Sequence, residues 1–284
     1  MPTWRVGAVA FRGREGRVAS TEWPAYRGAM FPLRDENPTE LVPFVTFLII
    51  LVNVVAWLVV QGAGAGQPLL DSLCRYGSIP GAITGTIPAG SSVQLGPGAI
   101  CRVPGTGAVT ILTSMFMHGS WMHLIGNMWF LWVFGNNIED SMGHFRYLVF
   151  YLLTGVLAAA AHILSDPGSA IPTVGASGAI SGVMGAYMVL YPKVRVQTLI
   201  ILILYIRVIP LPAWVLLAYW FFLQLVGGSA ALGRGGAGVA FWAHVGGFAA
   251  GVVLIKLFEK RRLVGAKRSG QVLTRDEMGR WGPW

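Results

Sequence analysis

Six stretches of the chain carry no Asp, Glu, Lys or Arg: Leu41–Leu70, Val103–Ile138, Tyr147–Ser165, Pro167–Pro192, Val208–Gly233 and Gly235–Ile255. Each can hold a helix of the roughly 20 residues that a bilayer crossing takes, the third being the shortest. The pattern predicts helices over 41–61, 120–138, 146–165, 177–191, 211–228 and 238–257. A seventh apolar run, Val196–Ile206, is only 11 residues long, and Pro210 and Pro212 follow it closely. It is too short to span and is expected at the interface or within a loop.

Composition agrees with the pattern. Only 12% of the 284 residues are charged and 54% are hydrophobic, with a mean hydropathy of +0.61. Soluble domains run near 25% charged, so an ordinary cytosolic globule and a disordered chain are both excluded. The net charge of +9 and pI near 10.0 resemble those of nucleic-acid binders. In a chain this apolar the sign reports topology instead, and no nucleic-acid partner is expected.

The basic residues test the span count. With six spans both termini share a side. If that side is the cytoplasm, 18 Lys and Arg lie inside, and only Arg75, Arg102 and Arg234 lie outside. Seven spans would expel the eight basic residues that follow from Lys256 onward, so six is the preferred count. The chain thus divides into a flexible cytoplasmic N-terminal tail (1–40), a six-helix domain (41–258) and a basic cytoplasmic C-terminal tail (259–284). The last of these suits contact with membrane lipids through anionic head groups. The N-terminal tail is not a signal peptide, because the apolar region begins too late and runs too long. The expected location is the plasma membrane, as a multi-pass protein.

The first outer loop, about 62–119, is rich in Gly, Pro and Ser and holds both cysteines, Cys74 and Cys101. A bridge between them and two free thiols are both compatible with the sequence. Two cysteines are too few for a disulfide scaffold or a Cys-rich metal site.

Polar side chains inside apolar helices are costly, and three clusters stand out. They are HGSWMHLIGN (118–127), the GASG run at Gly175–Gly178, and AHVGG (243–247). With an inside start, all three fall in the outer half of the bilayer at similar depth, which points to one cavity open to the outside. The pairs Gly178/Gly182 and Gly247/Gly251 have the four-residue spacing that lets two helix backbones approach closely. Such an approach would bring the Ser177 hydroxyl to the His244 imidazole. A serine becomes a nucleophile when a base takes its proton, and histidine is the usual base near neutral pH. Gly175 and Gly178 flank Ser177 and permit a tight turn that presents its hydroxyl, as in a nucleophile elbow. A helix N-terminus at Ser177 offers free N–H groups to a developing oxyanion. His123 and Asn127 share one face of the second span and can add donors. None of the predicted spans contains an acid, so a Ser-His dyad remains and a Ser-His-Asp triad is excluded. His144 and His162 lie near span ends and read as boundary residues, and His118 as a loop anchor.

On these motifs the chain resembles the rhomboid intramembrane serine proteases. HGSWMHLIGN, GASGAISG (175–182) and AHVGGFAAG (243–251) fall in the second, fourth and sixth of six spans, as in that family, and the resemblance covers about 41–258. It implies an all-α membrane protein with a six-transmembrane-helix bundle and both termini cytoplasmic. Ser177 would be the nucleophile and His244 the general base. His123, Asn127 and the Ser177 N–H would form the oxyanion hole. Substrates would be transmembrane proteins cut in or near the bilayer, with no metal and no cofactor, and a mobile fifth span or the loop above it would serve as the gate. The resemblance does not settle the oligomeric state. Two positions depart from the family. The stretch GAVTILTSMFMH before the second span lacks the usual Trp-Arg pair, and Ser181 stands where some members carry a Tyr stacked on the catalytic histidine. The second departure implies a less constrained His244. The alternatives are a catalytically silent rhomboid-like scaffold that binds membrane clients, and a transporter with a proton path. The scaffold would typically lack Ser177 or His244, and the transporter would need polar groups in both leaflets. A metalloprotease is disfavoured because no H-E-x-x-H occurs.

Overall fold

A computed structural model describes residues 29–96, 98–103, 105, 107–202, 205–231 and 239–269. Residues 1–28 and 270–284 of the expected tails, and Arg234, lie outside the described residues. In chain order the elements are β1 (Ala29–Asp35), α1 (Phe44–Val55, continuing as a π turn over Ala56–Val60), α2 (Gly66–Tyr76) and the short α3 (Pro80–Thr84). Next come β2 (Ser92–Gly96), β3 (Ala99–Arg102), the single turn α4 (Thr110–Thr113), α5 (Trp121–Met142), α6 (His144–Ser165) and α7 (Ser177–Leu190). The chain continues through β4 (Arg195–Leu202), β5 (Tyr205–Pro212), α8 (Ala213–Ala231), α9 (Phe241–Phe258) and α10 (Arg261–Ser269).

The six predicted helices correspond to α1, α5, α6, α7, α8 and α9. Among the described residues, three helical segments, His144–Ser165, Ala213–Ala230 and Phe241–Phe258, are long and apolar enough to cross a membrane. Phe44–Val60 and α7 are apolar but shorter. Large apolar side chains point outward along these helices, among them Leu51, Val59, Trp132, Leu164, Phe222 and Val253. A soluble monomer does not expose so much apolar surface, whereas a lipid-facing wall does.

The core is centred on α7, whose residues from Gly178 to Tyr187 are all buried. It lies among α5, α6 and α9. Small residues make this possible. A Cβ on Gly247 would collide with the Gly178 carbonyl, one on Gly251 with the Gly182 carbonyl, and one on Gly185 with the Phe248 carbonyl. On the other face of α7, a Cβ at Gly182 would strike Thr154 of α6. The expected Gly178/Gly182 and Gly247/Gly251 seam is therefore the α7–α9 contact itself.

Two small sheets were not anticipated in an all-α chain. The run Val196–Ile206, expected at the interface or in a loop, falls in an antiparallel hairpin of β4 and β5, with β1 on the far side of β4. Prolines sit on the outer strands, Pro32 on β1 and Pro210 and Pro212 on β5. The central strand β4 has none, as an uninterrupted ladder requires. The part of the N-terminal tail from Ala29 to Asp35 is thus a paired strand. The second sheet, β2 with β3, lies in the first long loop. There Cys74 of α2 and Cys101 of β3 form a disulfide, and both pack with Ile79 and Val103 in a small separate core.

Charge gathers at the end of the bundle away from Ser177. The Glu139 carboxylate, fully buried near the end of α5, accepts from the Val45 and Thr46 N–H groups (both 2.8 Å) and from the Thr46 hydroxyl (2.7 Å). It thereby caps α1, which has no side-chain cap of its own. Lys267 of α10 donates to Asn137 (2.6 Å) and Asp140 (2.7 Å), and Arg268 donates to the Leu190 carbonyl at the end of α7. The Asp35 carboxylate receives the Tyr187 hydroxyl (2.6 Å) and the Asn137 amide (2.7 Å).

Candidate active site

The approach to α7 is shaped by one glycine. Gly175 has a φ of +125°, a conformation that L side chains rarely adopt. A Cβ there would lie 2.7 Å from His123 Nε2, so the missing side chain also lets the backbone come up against α5. Its N–H donates to the Ser114 carbonyl (2.9 Å), which anchors the turn. Two residues later Ser177 opens α7, its side chain at the helix N-terminus. The Ser181 hydroxyl, one turn on, donates to the Ser177 carbonyl (2.6 Å) and faces into the bundle.

His244 lies one turn into α9. Its Nε2 is 2.8 Å from Ser177 Oγ, and its Nδ1 is 2.8 Å from Gln224 Oε1 of α8. The Trp220 ring, also on α8, lies 5.7 Å from the imidazole between centroids. Sequence reasoning expected a less constrained His244 because Ser181 replaces an aromatic residue. The ring beside it comes from another helix.

The α5 cluster faces the same turn. Ser120 caps α5 by accepting the His123 N–H (3.1 Å). His123 Nδ1 accepts the Gly119 N–H (3.4 Å). A neutral imidazole that accepts at Nδ1 carries its proton on Nε2, the atom turned to Gly175. Asn127 sits a turn further along, buried, and its Nδ2 has no hydrogen-bond partner among the described residues. The same nitrogen would lie 3.6 Å from a Cβ on Gly175. His123, Asn127, Gly175, Ser177 and His244 are therefore brought together at one end of the bundle.

His118 is fully buried, with its ring 5.1 Å from that of His123. Its backbone is clamped by the Gln61 side chain, which accepts the His118 N–H (2.8 Å) and donates to the His118 carbonyl (2.7 Å). This agrees with a loop-anchoring role. His144 bonds the Glu139 carboxylate at the far end of the bundle. Gln61 and Gln224 were both missed in the sequence. The available signal was an amide inside an otherwise charge-free apolar run, which is weak by itself. Among the described residues no cluster of three or more His, Cys, Asp or Glu could hold a metal ion.

Comparison with known proteins follows the same motifs. Residues 106–261 match the family model described as the Rhomboid domain. Rhomboid-like protein 11, chloroplastic, of Arabidopsis thaliana is 42% identical over 71 residues, 25% of this chain and 25% of that protein. Rhomboid protein 1, mitochondrial, of Saccharomyces cerevisiae is 27% identical over 165 residues, 55% of this chain and 45% of that protein. Rhomboid protease GluP of Bacillus subtilis is 36% identical over 78 residues, 28% of this chain and 15% of that protein. The chain thus spans less than half the length of these curated relatives. The expected plasma-membrane location is corrected by them. Several similar proteins are named as mitochondrial or chloroplastic, against the plasma-membrane reading, while the multi-pass membrane character stands. Charge asymmetry reports sidedness and does not name the membrane, which is why the sequence misled here. With the family model covering more than half of its length, this chain belongs to the rhomboid family.

Proposed function

We propose that the protein is an intramembrane serine endopeptidase that uses a Ser177–His244 dyad. It hydrolyses peptide bonds in or near the transmembrane segments of membrane-protein substrates. The observation that carries this reading is the 2.8 Å contact between Ser177 Oγ and His244 Nε2 at the mouth of an apolar bundle. The similarity to a protein named a rhomboid protease supports it. In this reading the six apolar helices are six spans, both termini are cytoplasmic, and the dyad opens to the opposite side.

In the first step Ser177 Oγ bonds to the scissile carbonyl carbon as its proton passes to His244 Nε2. The carbonyl oxygen becomes an oxyanion held by Asn127 Nδ2, His123 Nε2–H and the Ser177 N–H. His244 returns its proton to the leaving amine as the C–N bond breaks. A water molecule, deprotonated by His244, then attacks the acyl carbon, and as the Oγ–acyl bond breaks His244 returns that proton to Ser177 Oγ. Asn127 Nδ2 has no partner among the described residues and can bond the oxyanion without giving up a hydrogen bond to any of them. A helical substrate hides its carbonyls in hydrogen bonds, so a segment that unwinds readily, with Gly, Pro or polar residues near the cut, is the expected substrate.

Both dyad atoms are intact, which favours a protease over a silent scaffold. The test is reconstitution with a single-span reporter. The unaltered protein is expected to cut it, and a fluorophosphonate probe to label Ser177. Ser177→Ala and His244→Ala should bind the reporter without cutting it. Absence of both cutting and labelling in the unaltered protein would favour the scaffold.

A further inference from the structure

Resting on the dyad reading, we propose that Gln224 is a positioning residue. From α8 it accepts the Nδ1–H of His244 and so holds the imidazole with its bare Nε2 toward Ser177. A dyad without an acid faces a particular problem. A neutral imidazole has two tautomers, and only the one protonated at Nδ1 leaves Nε2 free to take the serine proton. In a triad the acid selects this tautomer. Among the described residues the hydrogen-bond partners of the His244 ring are Ser177 and Gln224 and not an acid, and the buried acids Glu139 and Asp140 sit at the opposite end of α5, roughly 24 Å along the helix from His123 at 1.5 Å per residue.

Gln224 is in the right place for the task. It is buried at 8% exposure, and its Oε1 lies 2.8 Å from His244 Nδ1. Its own amide orientation is set locally, because Nε2 donates to the Trp220 carbonyl one turn earlier (3.3 Å). With the nitrogen engaged there, the oxygen is the atom left for His244, and an oxygen facing Nδ1 requires the proton on Nδ1. A neutral amide does this without placing a second ionised group in an apolar bundle, where a charge would be costly. Trp220 completes the arrangement. Its ring lies beside both His244 and Phe248, so α8 constrains the imidazole by one hydrogen bond and one ring contact. The constraint that Ser181 cannot give from α7 is built from α8.

The test compares the unaltered protein with Gln224→Met and Gln224→Glu in proteoliposomes. Reporter cleavage gives kcat and KM, and thermal midpoints are measured alongside. Met keeps the length and removes the acceptor. Glu, as a buried carboxylic acid, keeps a carbonyl for His244 and a donor for Trp220. The expected result is a kcat lowered about 10–100-fold for Met with KM nearly unchanged, and substantial retention for Glu. A packing role alone gives the reverse order, since Met suits an apolar site better than Glu, and that order would overturn the assignment. A second measurement does not depend on the variants folding. Histidine ¹⁵N spectra of the unaltered protein, assigned by difference from His244→Ala, should show His244 protonated at Nδ1. Protonation at Nε2 would overturn the assignment even if the protein cleaves its reporter. Failure to cleave or to label Ser177 would instead remove the protease reading, with the tautomer still measurable.

Discussion

At the scale of single residues, Asn127 and the interhelical glycines make opposite demands on their surroundings. Among the described residues Asn127 leaves a buried N–H₂ without a partner, a state that costs free energy in a resting protein and is useful only when an acceptor arrives. Asn127→Ala should therefore leave folding intact or slightly improved while lowering kcat roughly 100-fold, read from reporter cleavage beside a thermal midpoint. A variant equally active but less stable would show a structural role instead. Gly247 has no room at all, because any side chain there meets the Gly178 carbonyl one residue from Ser177. Gly126 on α5 faces open space. Gly247→Ala is expected to part α7 from α9, with loss of probe labelling at Ser177 and a destabilisation on the order of 1–3 kcal/mol. Gly126→Ala should be neutral or slightly stabilising, since alanine is the better helix former.

At the scale of elements, two helix ends are satisfied by groups remote in sequence, the start of α1 by Glu139 and the end of α7 by Arg268. Ser120 caps α5 locally, whereas α1 depends on the Glu139 carboxylate, 93 residues away from Thr46 in sequence. Removing it in Glu139→Ala would strand two backbone N–H groups of α1 and the His144 ring together. The expected loss is on the order of 2–4 kcal/mol, seen as a lowered thermal midpoint, while Ser177 still labels in the folded fraction because the dyad lies at the other end. This dependence explains what could and could not be read from the chain. Helix placement was legible within a few residues, because charge-free runs mark apolar helices directly. The end of α5 was not. Glu139 and Asp140 looked like a span boundary, yet the helix runs on to Met142 with both acids buried against partners that lie far apart in sequence. The β4–β5 hairpin escaped for a similar reason. Its run of Ile and Leu is ambiguous by periodicity, and its neighbour β1 lies in an Arg-bearing tail more than 150 residues earlier. At the candidate site, the gathering of Ser177, His244, His123 and Asn127 at one end of the bundle was legible because polar groups inside apolar helices are conspicuous. Gln224 was not, because a single amide gains meaning only from the imidazole that faces it.

At the scale of the whole molecule, the bundle joins two ends of different chemistry. One end holds the Ser177–His244 pair, and the other holds a charged network linking β1, α5, α7 and α10. Asp35 is the member of that network whose protonation should be visible from outside. Burial pushes its carboxyl up from 3.8 to about 6, outweighing the Tyr187 hydrogen bond and the Lys267 charge, which pull it down. The folded chain therefore holds this proton at pH values where the unfolded chain has released it. Below about pH 4 both states are protonated and Asp35 contributes nothing to pH dependence. Between about 4 and 6 the folded state binds more protons, so its stability falls as pH rises, and above about 6 the full penalty remains. At 1.36 kcal/mol per unit the penalty is at most about 3 kcal/mol, reduced by whatever solvent reaches the half-buried carboxylate. Asp35→Asn removes the ionisation and keeps an acceptor for the Tyr187 hydroxyl. Thermal midpoints of the unaltered protein should fall between about pH 4.5 and 7. The Asp35→Asn variant should show a shallower fall and a higher midpoint at about pH 7.5. Parallel curves for the two proteins would mean that Asp35 is ionised at no cost, with Lys267 and Tyr187 together compensating its burial, and the charged end would then act as a neutral tie between α10 and the helix that carries Ser177.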